Sequence, residues 1–585
     1  MSTRRIQRRP PPDPALVGAL SRGDAALPPV LARVYAARAT TPDAALTPGL
    51  EALASPHDLK GLDKAVDLLE TALEEAQRVV IVGDYDADGA TSCALLMRGL
   101  RAMGLEDVSY RVPDRFRYGY GLSPEIVAEV AVDRPRLLIT VDNGISSLAG
   151  VAAAQEAGMR VLVTDHHLPG ETLPAADAIV NPNQPGCRFP SRNLAGVGVA
   201  FYLLSALRAR LRASGWFAQT GRPEPNLGQW LDLVALGTVA DVVPLDANNR
   251  ILVEQGLKRI RAGRACPGIL ALLRAGKREP ARCVASDLGF AAGPRLNAAG
   301  RLEDMTIGIE CLLADEPARA IQLARRLDAL NRERRDIEAR MQDEALAQLD
   351  THLLEETAEM PWGLCLFDAD WHPGVVGIVA SRIKERFHRP VIAFAPEDEK
   401  HVKGSARSIP GLHIRDALDA VAAHHPGLIS RFGGHAMAAG LSLRRERLAD
   451  FEAAFDAEVR RVLSADDLEG VILSDGPLDE ADMRLELAEA IRYAGPWGQG
   501  FPEPVFDGVF MVVDWRVVGE RHVKMTVTPE GGGASLDAIA FNQEPLAEMR
   551  ETLGPSVHLA YRLDVNEYMG QRSVQLMVEH MAPVV

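Results

Sequence analysis

Acidic and histidine side chains occur in four short segments of the chain at a spacing that suits metal chemistry. The segments are Asp84-Tyr85-Asp86-Ala87-Asp88-Gly89, Asp142-Asn143-Gly144, Asp165-His166-His167 and, further along, Asp241. Each of the first three directly follows a short apolar run that predicts a buried strand. In an open parallel sheet, ligands bind beyond the carboxyl ends of the strands. The sequence therefore predicts that the four segments contribute to one site.

Several carboxylates at one sheet edge repel one another unless cations neutralise them. Oxygen ligands with one or two imidazoles suit Mn²⁺ or Mg²⁺ better than Zn²⁺, which favours more nitrogen and sulfur ligands. Two such ions, roughly 3.5–4 Å apart, can activate a water and stabilise the attacking and leaving oxygens of a phosphoryl transfer. We therefore predict two divalent cations, Mn²⁺ or Mg²⁺, as cofactors.

Each segment has a simpler explanation when it is taken alone. The run Asp84–Gly89 matches the opening of an EF-hand calcium loop, but the twelfth position, which needs an acidic residue, is Leu95. The Asp142 segment alone suits a helix-capping turn. The His-His pair alone suits surface or core packing, and Asp241 alone suits a solvated loop. The shared site is preferred because it accounts for all four segments.

The apolar runs alternate with helical patterns from about Leu59 onward, which predicts an α/β fold with a parallel sheet. A second α/β unit opens near residue 363, and short β-rich runs after about Leu468 predict a small antiparallel barrel or sandwich. Residues 316–350 form a long, charged helical pattern that could bridge two domains. The main predicted strands and helices are Arg78–Val82, Ala90–Met103, Leu137–Val141, Leu148–Ala157, Val161–Thr164, Gly363–Phe367, Val376–Phe387 and Val391–Phe394.

Composition limits the class of protein. The 585 residues are too many for one core, and the content of 47% hydrophobic and 25% charged residues is that of a soluble globular protein. No apolar run reaches the length of a membrane span, and the basic N-terminus runs into prolines, so we expect a cytoplasmic protein. The net charge of −16 argues against bulk coating of duplex DNA but allows a basic channel within an acidic body.

The order of strand-DxD, strand-DNG, strand-DHH and a later aspartate resembles the DHH phosphoesterase superfamily. Many members carry a histidine four residues before the DxD pair, where this chain has Val82 with Asp84 nearby, as in the RecJ branch. The resemblance implies that Asp142 bridges two metals and that His167 lies beside the scissile phosphate. Asp165 would orient a histidine. The implied metal-binding side chains are Asp84, Asp86, Asp88, Asp142, His166 and Asp241.

Further motifs resemble the RecJ exonucleases over nearly the whole chain. They are NPNQPGCRFPSRNLAGVGVAFYL after the DHH segment, GPRLNAAGRL at Gly293–Leu302, WHPGVVGIVASRI from Trp371, GSARSIPGLHIRDAL from Gly404, GGHAMAAG at Gly433–Gly440 and AGPWGQGFPEPVF before the β-rich end. The resemblance implies an N-terminal lead-in that we expect to be loosely packed (1–45), a DHH catalytic domain (46–313), a linking helix (314–352), a DHHA1 domain (353–466) and an oligonucleotide-binding (OB) barrel (467–585).

Basic, amide and glycine residues in these motifs are candidates for substrate binding. Guanidinium forks and amides suit phosphates, glycines allow close backbone approach, and basic residues interleaved with aromatics suit single strands. The alternatives are internal helix-capping or interdomain ion pairs and a packed aromatic loop. We predict that Arg295 and Arg407 bind the 5′-terminal phosphate. The full candidate set is Arg295, Asn297, Arg301, Ser405, Arg407, Gly434, His435, Arg115 and Tyr118.

The resemblance implies a single-stranded-DNA-specific 5′→3′ exonuclease that releases 5′-mononucleotides and acts in DNA repair and recombination. Its implied partners are single-stranded DNA with a free 5′ end, a single-stranded-DNA-binding protein and a helicase. One alternative is a small-substrate phosphodiesterase or nanoRNase, for which two domains suffice. The other is a non-catalytic replication scaffold, which would have lost acids that this chain retains.

Overall fold

The computed structural model describes residues 4–22, 26–38, 49–114, 117–118, 120–355, 360–519, 522–541, 554–568 and 570–584. The chain divides into two compact units, which we describe separately. The smaller unit comprises Met1–Arg8, Arg332–Ser474 and His580–Ala582, and the larger one comprises Arg9–Asn331, Asp475–Glu579 and Pro583–Val585. In the described part of the chain, no helix has the length and apolar character needed to cross a membrane.

The helices and strands follow one another along both units. The helices are α1 (Pro14–Leu20), α2 (Pro29–Ala36), α3 (Leu62–Glu74), α4 (Ala87–Met103), α5 (Pro124–Ala131), α6 (Leu148–Glu156), α7 (Gly196–Ala213), α8 (Trp216–Thr220), α9 (Leu231–Ala240), α10 (Ala247–Arg261), α11 (Pro267–Ala275), α12 (Ala285–Asp287), α13 (Gly293–Leu302), α14 (Thr306–Leu313), α15 (Pro317–Glu355), α16 (Val376–Phe387), α17 (Ile414–His424), α18 (Leu448–Val462) and α19 (Leu485–Ala494). The strands are β1 (Arg4–Arg8), β2 (Val79–Gly83), β3 (Val108–Arg111), β4 (Leu137–Val141), β5 (Arg160–Thr164), β6 (Ala178–Val180), β7 (Leu364–Phe367), β8 (Val391–Pro396), β9 (His401–Arg407), β10 (Arg431–Gly434), β11 (Ala438–Arg444), β12 (Gly470–Ser474), β13 (Phe506–Val518), β14 (His522–Pro529), β15 (Leu536–Ala540), β16 (Ser556–Tyr568) and β17 (Gln571–Pro583).

A parallel five-stranded sheet in the order β3-β2-β4-β5-β6 forms the core of the larger unit. Strands β2 and β4 are buried along their whole length, as their unbroken apolar sequences require in a sheet covered on both faces. This confirms the predicted α/β fold with a parallel sheet. The two edge strands were not predicted, and β6 falls within the proline- and glycine-rich stretch 169–190.

Helix α4 begins within the acidic segment Asp84–Gly89. It begins at Ala87, three residues before the predicted start, because the Asp86 side chain accepts hydrogen bonds from the N–H groups of Asp88 and Gly89. Gly104, with φ of 116°, ends the helix in the left-handed conformation. An N-cap aspartate therefore doubles as one of the predicted metal ligands.

The smaller unit contains a mixed sheet in the order β10-β11-β9-β8-β7, in which β7 and β8 are parallel and the other pairs antiparallel. Helix α16 packs against β8 and β9. Strand β12, at the start of the predicted range 467–585, pairs with β1 in a two-stranded parallel sheet. The partner strand lies more than 460 residues away in the sequence.

A closed barrel of β13, β14, β15, β17 and β16 belongs to the larger unit. It confirms the predicted C-terminal β-barrel, and its closure removes the open sheet edges that a five-stranded sheet would otherwise expose. A bulge between Val512 and Asp514 bends the first strand. The predicted long helix is α15, which begins in the larger unit and ends in the smaller one.

Helix α2 of the N-terminal lead-in is packed rather than loose. Ala32 and Val34 of α2 are fully buried. The Tyr35 ring makes edge contacts with Trp497 and Phe501, at centroid distances of 5.7 and 5.5 Å. Our expectation of loose packing was therefore wrong for α2, since the aromatic partners of this helix are remote in the sequence. The five domain boundaries given above stay predictions.

Candidate metal centre

The loops after β2, β4 and β5 meet at the carboxyl edge of the parallel sheet, where the end of α9 joins them. All seven predicted catalytic and metal-binding side chains lie there, in three overlapping groups. Within each group the ligand atoms lie within 4.8 Å of one another. The groups are Asp84-Asp86-Asp142, Asp88-His166-Asp241 and Asp142-His166-His167.

His166 lies at the centre of this cluster. Its Nε2 atom is 3.0 Å from Asp142 Oδ1, 3.4 Å from Asp241 Oδ2 and 3.9 Å from Asp88 Oδ2. Asp142 Oδ1 is buried and accepts no hydrogen bond from any described residue. A set of carboxylate oxygens around one imidazole nitrogen, with a buried oxygen lacking a donor, fits a cation such as Mn²⁺ or Mg²⁺.

The electrostatics of the cluster also favour a cation. Burial, followed by the charge of Asp86, raises the pKa of Asp88 to about 7, against the opposing effect of two backbone N–H donors. Burial and then the neighbouring carboxylates raise the pKa values of Asp142 and Asp241 well above the usual range. Bound divalent cations would reverse both effects, because they replace the lost hydration and cancel the repulsion.

The first turn of α7 holds two of the acids. The N–H groups of Gly196 and Val197 donate to the two carboxylate oxygens of Asp88, at 2.6 and 2.9 Å. Asp142 adopts a left-handed backbone conformation, with φ of 61°. A Cβ atom on Gly196 would lie 2.7 Å from Asp142 Cβ, so only glycine allows this approach. Strain of this kind persists where the surrounding structure imposes it, often at functional sites.

Asp165 makes the contact with a histidine that we predicted. Its Oδ1 accepts from the backbone N–H of His166 and lies 2.8 Å from His167 Nδ1, while Oδ2 accepts from the Ile145 N–H. Burial lowers the pKa of His167, but the hydrogen bond and charge of Asp165 outweigh it and raise the pKa to about 9. The fixed, charged imidazole is suited to meeting an anionic group.

Tyr120 belongs to the site, although the sequence indicates it only as one of the aromatics interleaved with arginines in RVPDRFRYGYGL, residues 111–122. Its hydroxyl donates to the Asp142 carbonyl oxygen at 3.2 Å and lies 3.1 Å from His167 Nδ1. Burial and the nearby carboxylates raise the pKa of Tyr120 well above its usual value, which keeps the hydroxyl a donor. The only sequence signal was its place in an Arg- and Tyr-rich segment. Gly196 was missed as well, although it lies in a motif that we singled out.

Helix α13 contacts the acidic loop rather than solvent. Asn297 Oδ1 accepts from the Ala87 N–H at 2.7 Å. A Cβ atom on Gly300 would lie 1.8 Å from the Tyr85 carbonyl oxygen. These contacts place Asn297 against the acidic loop, and its part in substrate binding stays a prediction. Arg301, partly exposed, lies in the last turn of the same helix.

Arg295 is also engaged within the protein. Its Nη2 and Nε atoms donate to Asp328 Oδ1 at 2.8 and 3.0 Å, and Nη1 donates to the Ala291 carbonyl oxygen at 2.7 Å. The ion pair with Asp328 holds α13 against α15. Binding of a terminal phosphate by Arg295 stays a prediction.

In the smaller unit, Arg407 ends strand β9 beside two serines. Its Nη1 donates to Ser405 Oγ at 3.1 Å and its Nε donates to Ser381 Oγ at 3.2 Å. Burial lowers the pKa of Arg407, and no carboxylate of a described residue forms an ion pair with it. A half-buried guanidinium beside hydroxyl groups, without a carboxylate of a described residue, is suited to an anion.

Of the other predicted substrate residues that the structure describes, Gly434 and His435 are exposed and Tyr118 is half-buried. Gly434 and His435 lie at the exposed turn between β10 and β11, where the His435 N–H donates to the Ala438 carbonyl oxygen. That N–H is therefore not available to a nucleotide. Tyr118 donates to Glu129, and the Arg117 guanidinium lies 4.8 Å above its ring. Arg115 lies outside the described residues.

Three family models match the chain. The DHH family N-terminal domain matches residues 78–238, the DHHA1 domain matches residues 360–461, and the RecJ OB domain matches residues 474–580. Two curated relatives are the single-stranded-DNA-specific exonucleases RecJ of Dickeya dadantii and Escherichia coli. The first is 57% identical and covers 95% of this chain and 96% of its own length. The second is 53% identical and covers 96% and 97%.

The solved structure of RecJ from Thermus thermophilus in complex with Mn²⁺ has a TM-score of 0.80 and 32% identity, and the match covers 99% of this chain and 80% of that chain. The corresponding Mg²⁺ complex has a TM-score of 0.74 and 30% identity, over 99% and 79%. The similarity to these relatives extends over all three matched domains and nearly the whole chain. The chain therefore belongs to the RecJ family of DHH proteins.

Proposed function

We propose that this protein is a metal-dependent exonuclease specific for single-stranded DNA, which cuts from the 5′ end and releases 5′-mononucleotides. The observation that carries the proposal is the cluster of five carboxylates and two imidazoles at the carboxyl edge of the parallel sheet. The similarity to relatives named single-stranded-DNA-specific exonucleases supports the class of substrate. The 5′ polarity and the mononucleotide product rest on the resemblance described above.

We propose two divalent cations, Mn²⁺ or Mg²⁺, as cofactors. Asp86, Asp88, Asp142, His166 and Asp241 would hold them, with Asp142 shared between both and Asp84 as a further acidic ligand. When bound, the two ions supply an activated water and a positive field for the leaving oxygen. The spacing of 3.0–3.9 Å between His166 Nε2 and three carboxylates supports a shared ligand set.

His167 would bind a non-bridging oxygen of the scissile phosphate. Asp165 fixes the ring through Nδ1 and keeps it protonated near neutral pH, because its hydrogen bond raises the pKa to about 9. A charged imidazole stabilises negative charge that develops on the phosphate during hydrolysis. The Tyr120 hydroxyl, in contact with His167, limits rotation of the ring.

Arg407 and Ser405 would bind the terminal 5′-phosphate in the smaller unit. A terminal phosphate carries more negative charge than an internal diester, so a half-buried guanidinium beside serine hydroxyls would discriminate the two. The pair of Tyr118 and Arg117 and the turn at His435 would contact the strand. The C-terminal barrel would hold its continuation, as OB barrels do with oligonucleotides.

The test is hydrolysis of 5′- and 3′-labelled single strands with Mn²⁺ or Mg²⁺, against a duplex of the same sequence. We expect labelled mononucleotide from the 5′-labelled strand at the earliest times and little cleavage of the duplex. Asp142→Ala protein is the control for a contaminating nuclease. Release of mononucleotide first from the 3′ label, or equal cutting of the duplex, would contradict the proposal. A dinucleotide substrate in parallel tests the small-substrate alternative.

The resemblance also leads us to propose a cytoplasmic role in DNA repair and recombination, with a single-stranded-DNA-binding protein and a helicase as partners. Such partners would expose and present single strands to an enzyme that does not cut duplex DNA. Co-purification from cell extract in the absence and presence of a nuclease separates direct partners from those bridged by DNA.

A further inference from the structure

The loop that follows α9 starts at the candidate metal ligand Asp241 and runs to Asp246. Its second residue, Val242, has φ of 63° and an exposed side chain. A β-branched residue in the left-handed region is unusual and strained. Such a conformation persists only when neighbouring contacts impose it. The position of the Asp241 carboxylate therefore depends on whatever holds the other end of this loop.

Two sets of contacts hold that end. Within the catalytic region, the Pro244 carbonyl oxygen accepts from Asn249 Nδ2 at 3.0 Å, and Asp246 caps α10 by accepting from the Asn249 N–H. From the far end of the sequence, the Gln499 carbonyl oxygen accepts from the Leu245 N–H at 2.7 Å. Leu245 is buried. The loop is thus fixed in part by a segment that leads into the C-terminal barrel.

That segment forms a tight turn, Gly498–Phe501, closed by reciprocal backbone hydrogen bonds of 3.0 and 3.1 Å between its first and last residues. Two glycines of the turn face the loop. A Cβ atom on Gly498 would lie 2.7 Å from Leu245 Cδ1, and one on Gly500, where φ is 73°, would lie 3.2 Å from Pro244 Cβ. At Gly500 the positive φ and the proline ring both favour glycine, whereas at Gly498 the contact is with the flexible end of a leucine side chain.

The turn is itself anchored to the catalytic region. The Phe501 ring stacks on Trp497 at a centroid distance of 5.2 Å, and the Arg250 guanidinium lies 4.0 Å above Phe501. Arg250 belongs to α10, the helix that Asp246 caps. Strand β13 of the barrel begins at Phe506, only five residues after the turn. One side of the turn therefore meets the Asp241 loop and the other leads to the barrel.

We infer that the turn Gly498–Phe501 is a positioning element for Asp241, which holds the loop in its strained conformation and so completes the metal site. The inference rests on the proposed function, since Asp241 is taken there as a metal ligand. Gly498 and Gly500 act through Leu245 and Pro244 and touch no reacting group. The segment that links the barrel to the catalytic region thereby sets the affinity of the metal centre.

The test compares Gly500→Ala with Gly532→Ala in the full-length protein. Both glycines have a positive φ, 73° and 94°, so both substitutions strain the backbone, but no atom lies within 4 Å of a Cβ on Gly532. Mn²⁺ binding is measured by calorimetry without DNA, with thermal unfolding and the kcat and KM for a single strand alongside. Contacts that orient a ligand typically contribute about 10–100-fold to metal affinity. We expect Gly500→Ala to weaken Mn²⁺ binding about tenfold and to lower kcat with little change in KM. Gly532→Ala should leave the Mn²⁺ affinity and kcat unchanged.

Gly498→Ala gives a milder version of the same test. Its Cβ meets the flexible end of a leucine side chain, so we expect this variant to fold even if Gly500→Ala does not. Mn²⁺ affinities of Gly500→Ala, or of Gly498→Ala in its place, equal to that of Gly532→Ala would overturn the inference. A wild-type protein that binds no Mn²⁺ would overturn it together with the proposed function. A wild-type protein that binds Mn²⁺ but does not cut single strands would contradict the proposed function alone, and the ratio of affinities would still decide the inference.

Discussion

Replacement of Gly196 by alanine tests whether the first turn of α7 sets the position of Asp142. The added Cβ would lie 2.7 Å from Asp142 Cβ and 3.0 Å from Asp142 Cα, whereas ordinary contacts begin at 3.4 Å. The two segments must therefore separate by about 0.7 Å. The same turn binds both carboxylate oxygens of Asp88, so the shift changes two candidate ligands together.

The expected effect is larger on catalysis than on stability. Overpacking of a core costs about 1–3 kcal/mol of unfolding free energy. A misplacement of about 1 Å costs on the order of 10²-fold in rate, because the reacting groups leave their productive geometry. We therefore expect Gly196→Ala to fold with a modestly lowered Tm and to lose roughly 30- to 100-fold in kcat at saturating Mn²⁺.

Gly198→Ala is the matched control in the same helix. Its Cβ would meet Leu194 Cδ2 at 3.1 Å, and a leucine side chain can move aside. It should retain near-normal kcat, and the better helix propensity of alanine offsets part of the packing cost. The assay is release of mononucleotide from a 5′-labelled single strand over a Mn²⁺ titration, with thermal unfolding of each variant. A kcat for Gly196→Ala within about threefold of wild type would refute the reasoning.

Further substitutions test the roles of single groups. Asp142→Ala should abolish nuclease activity at any Mn²⁺ concentration while circular dichroism stays native, and near-normal turnover at saturating Mn²⁺ would contradict its role as the shared ligand. Asn297→Ala leaves the Ala87 N–H without its acceptor, at a cost of about 1–3 kcal/mol, and should weaken Mn²⁺ binding in calorimetry; a change in KM for DNA alone would instead favour substrate contact. Arg407→Ala should erase the rate preference for a 5′-phosphate over a 5′-hydroxyl, with partial rescue by lysine, and an unchanged ratio would exclude end sensing. Removal of residues 506–585 should weaken binding of long strands more than of very short ones, which fluorescence anisotropy can measure; equal affinity for a long strand in both proteins would contradict a strand-holding barrel.

The metal cluster could be predicted because its signal is local. Each acid directly follows an apolar strand, and parallel strands bring those positions to one edge without further information. Strands β3 and β6 were not predicted because they are edge strands of only four and three residues. So few residues do not show a periodic pattern of apolar side chains. The packing of α2 and the pairing of β1 with β12 depend on partners more than 450 residues away, which periodicity cannot indicate.

The sequence also could not show in which direction a polar side chain points. Arginine and asparagine in GPRLNAAGRL have the composition of a phosphate-binding segment, yet Arg295 binds Asp328 and Asn297 binds the backbone of the metal loop. Composition states which groups are present and not what they face. Arg407 shows the opposite outcome, since its guanidinium has serine hydroxyls as neighbours and no carboxylate partner among the described residues.

Three motifs outside the four acidic segments nevertheless reach the metal centre through glycines. Gly196 contacts Asp142, Gly300 contacts the Tyr85 carbonyl oxygen, and Gly500 contacts Pro244 in the Asp241 loop. Three of the four acid-bearing segments are thereby contacted by a segment from elsewhere in the chain. Buried carboxylates repel one another, so a metal-free site tends to open unless rigid contacts oppose the repulsion. Those contacts keep the ligands near the geometry that the cations require, which reduces the reorganisation needed when metals bind. The glycines of these motifs therefore have a physical role, which is to let other segments approach the acidic loops closely, although glycine itself has no reactive group.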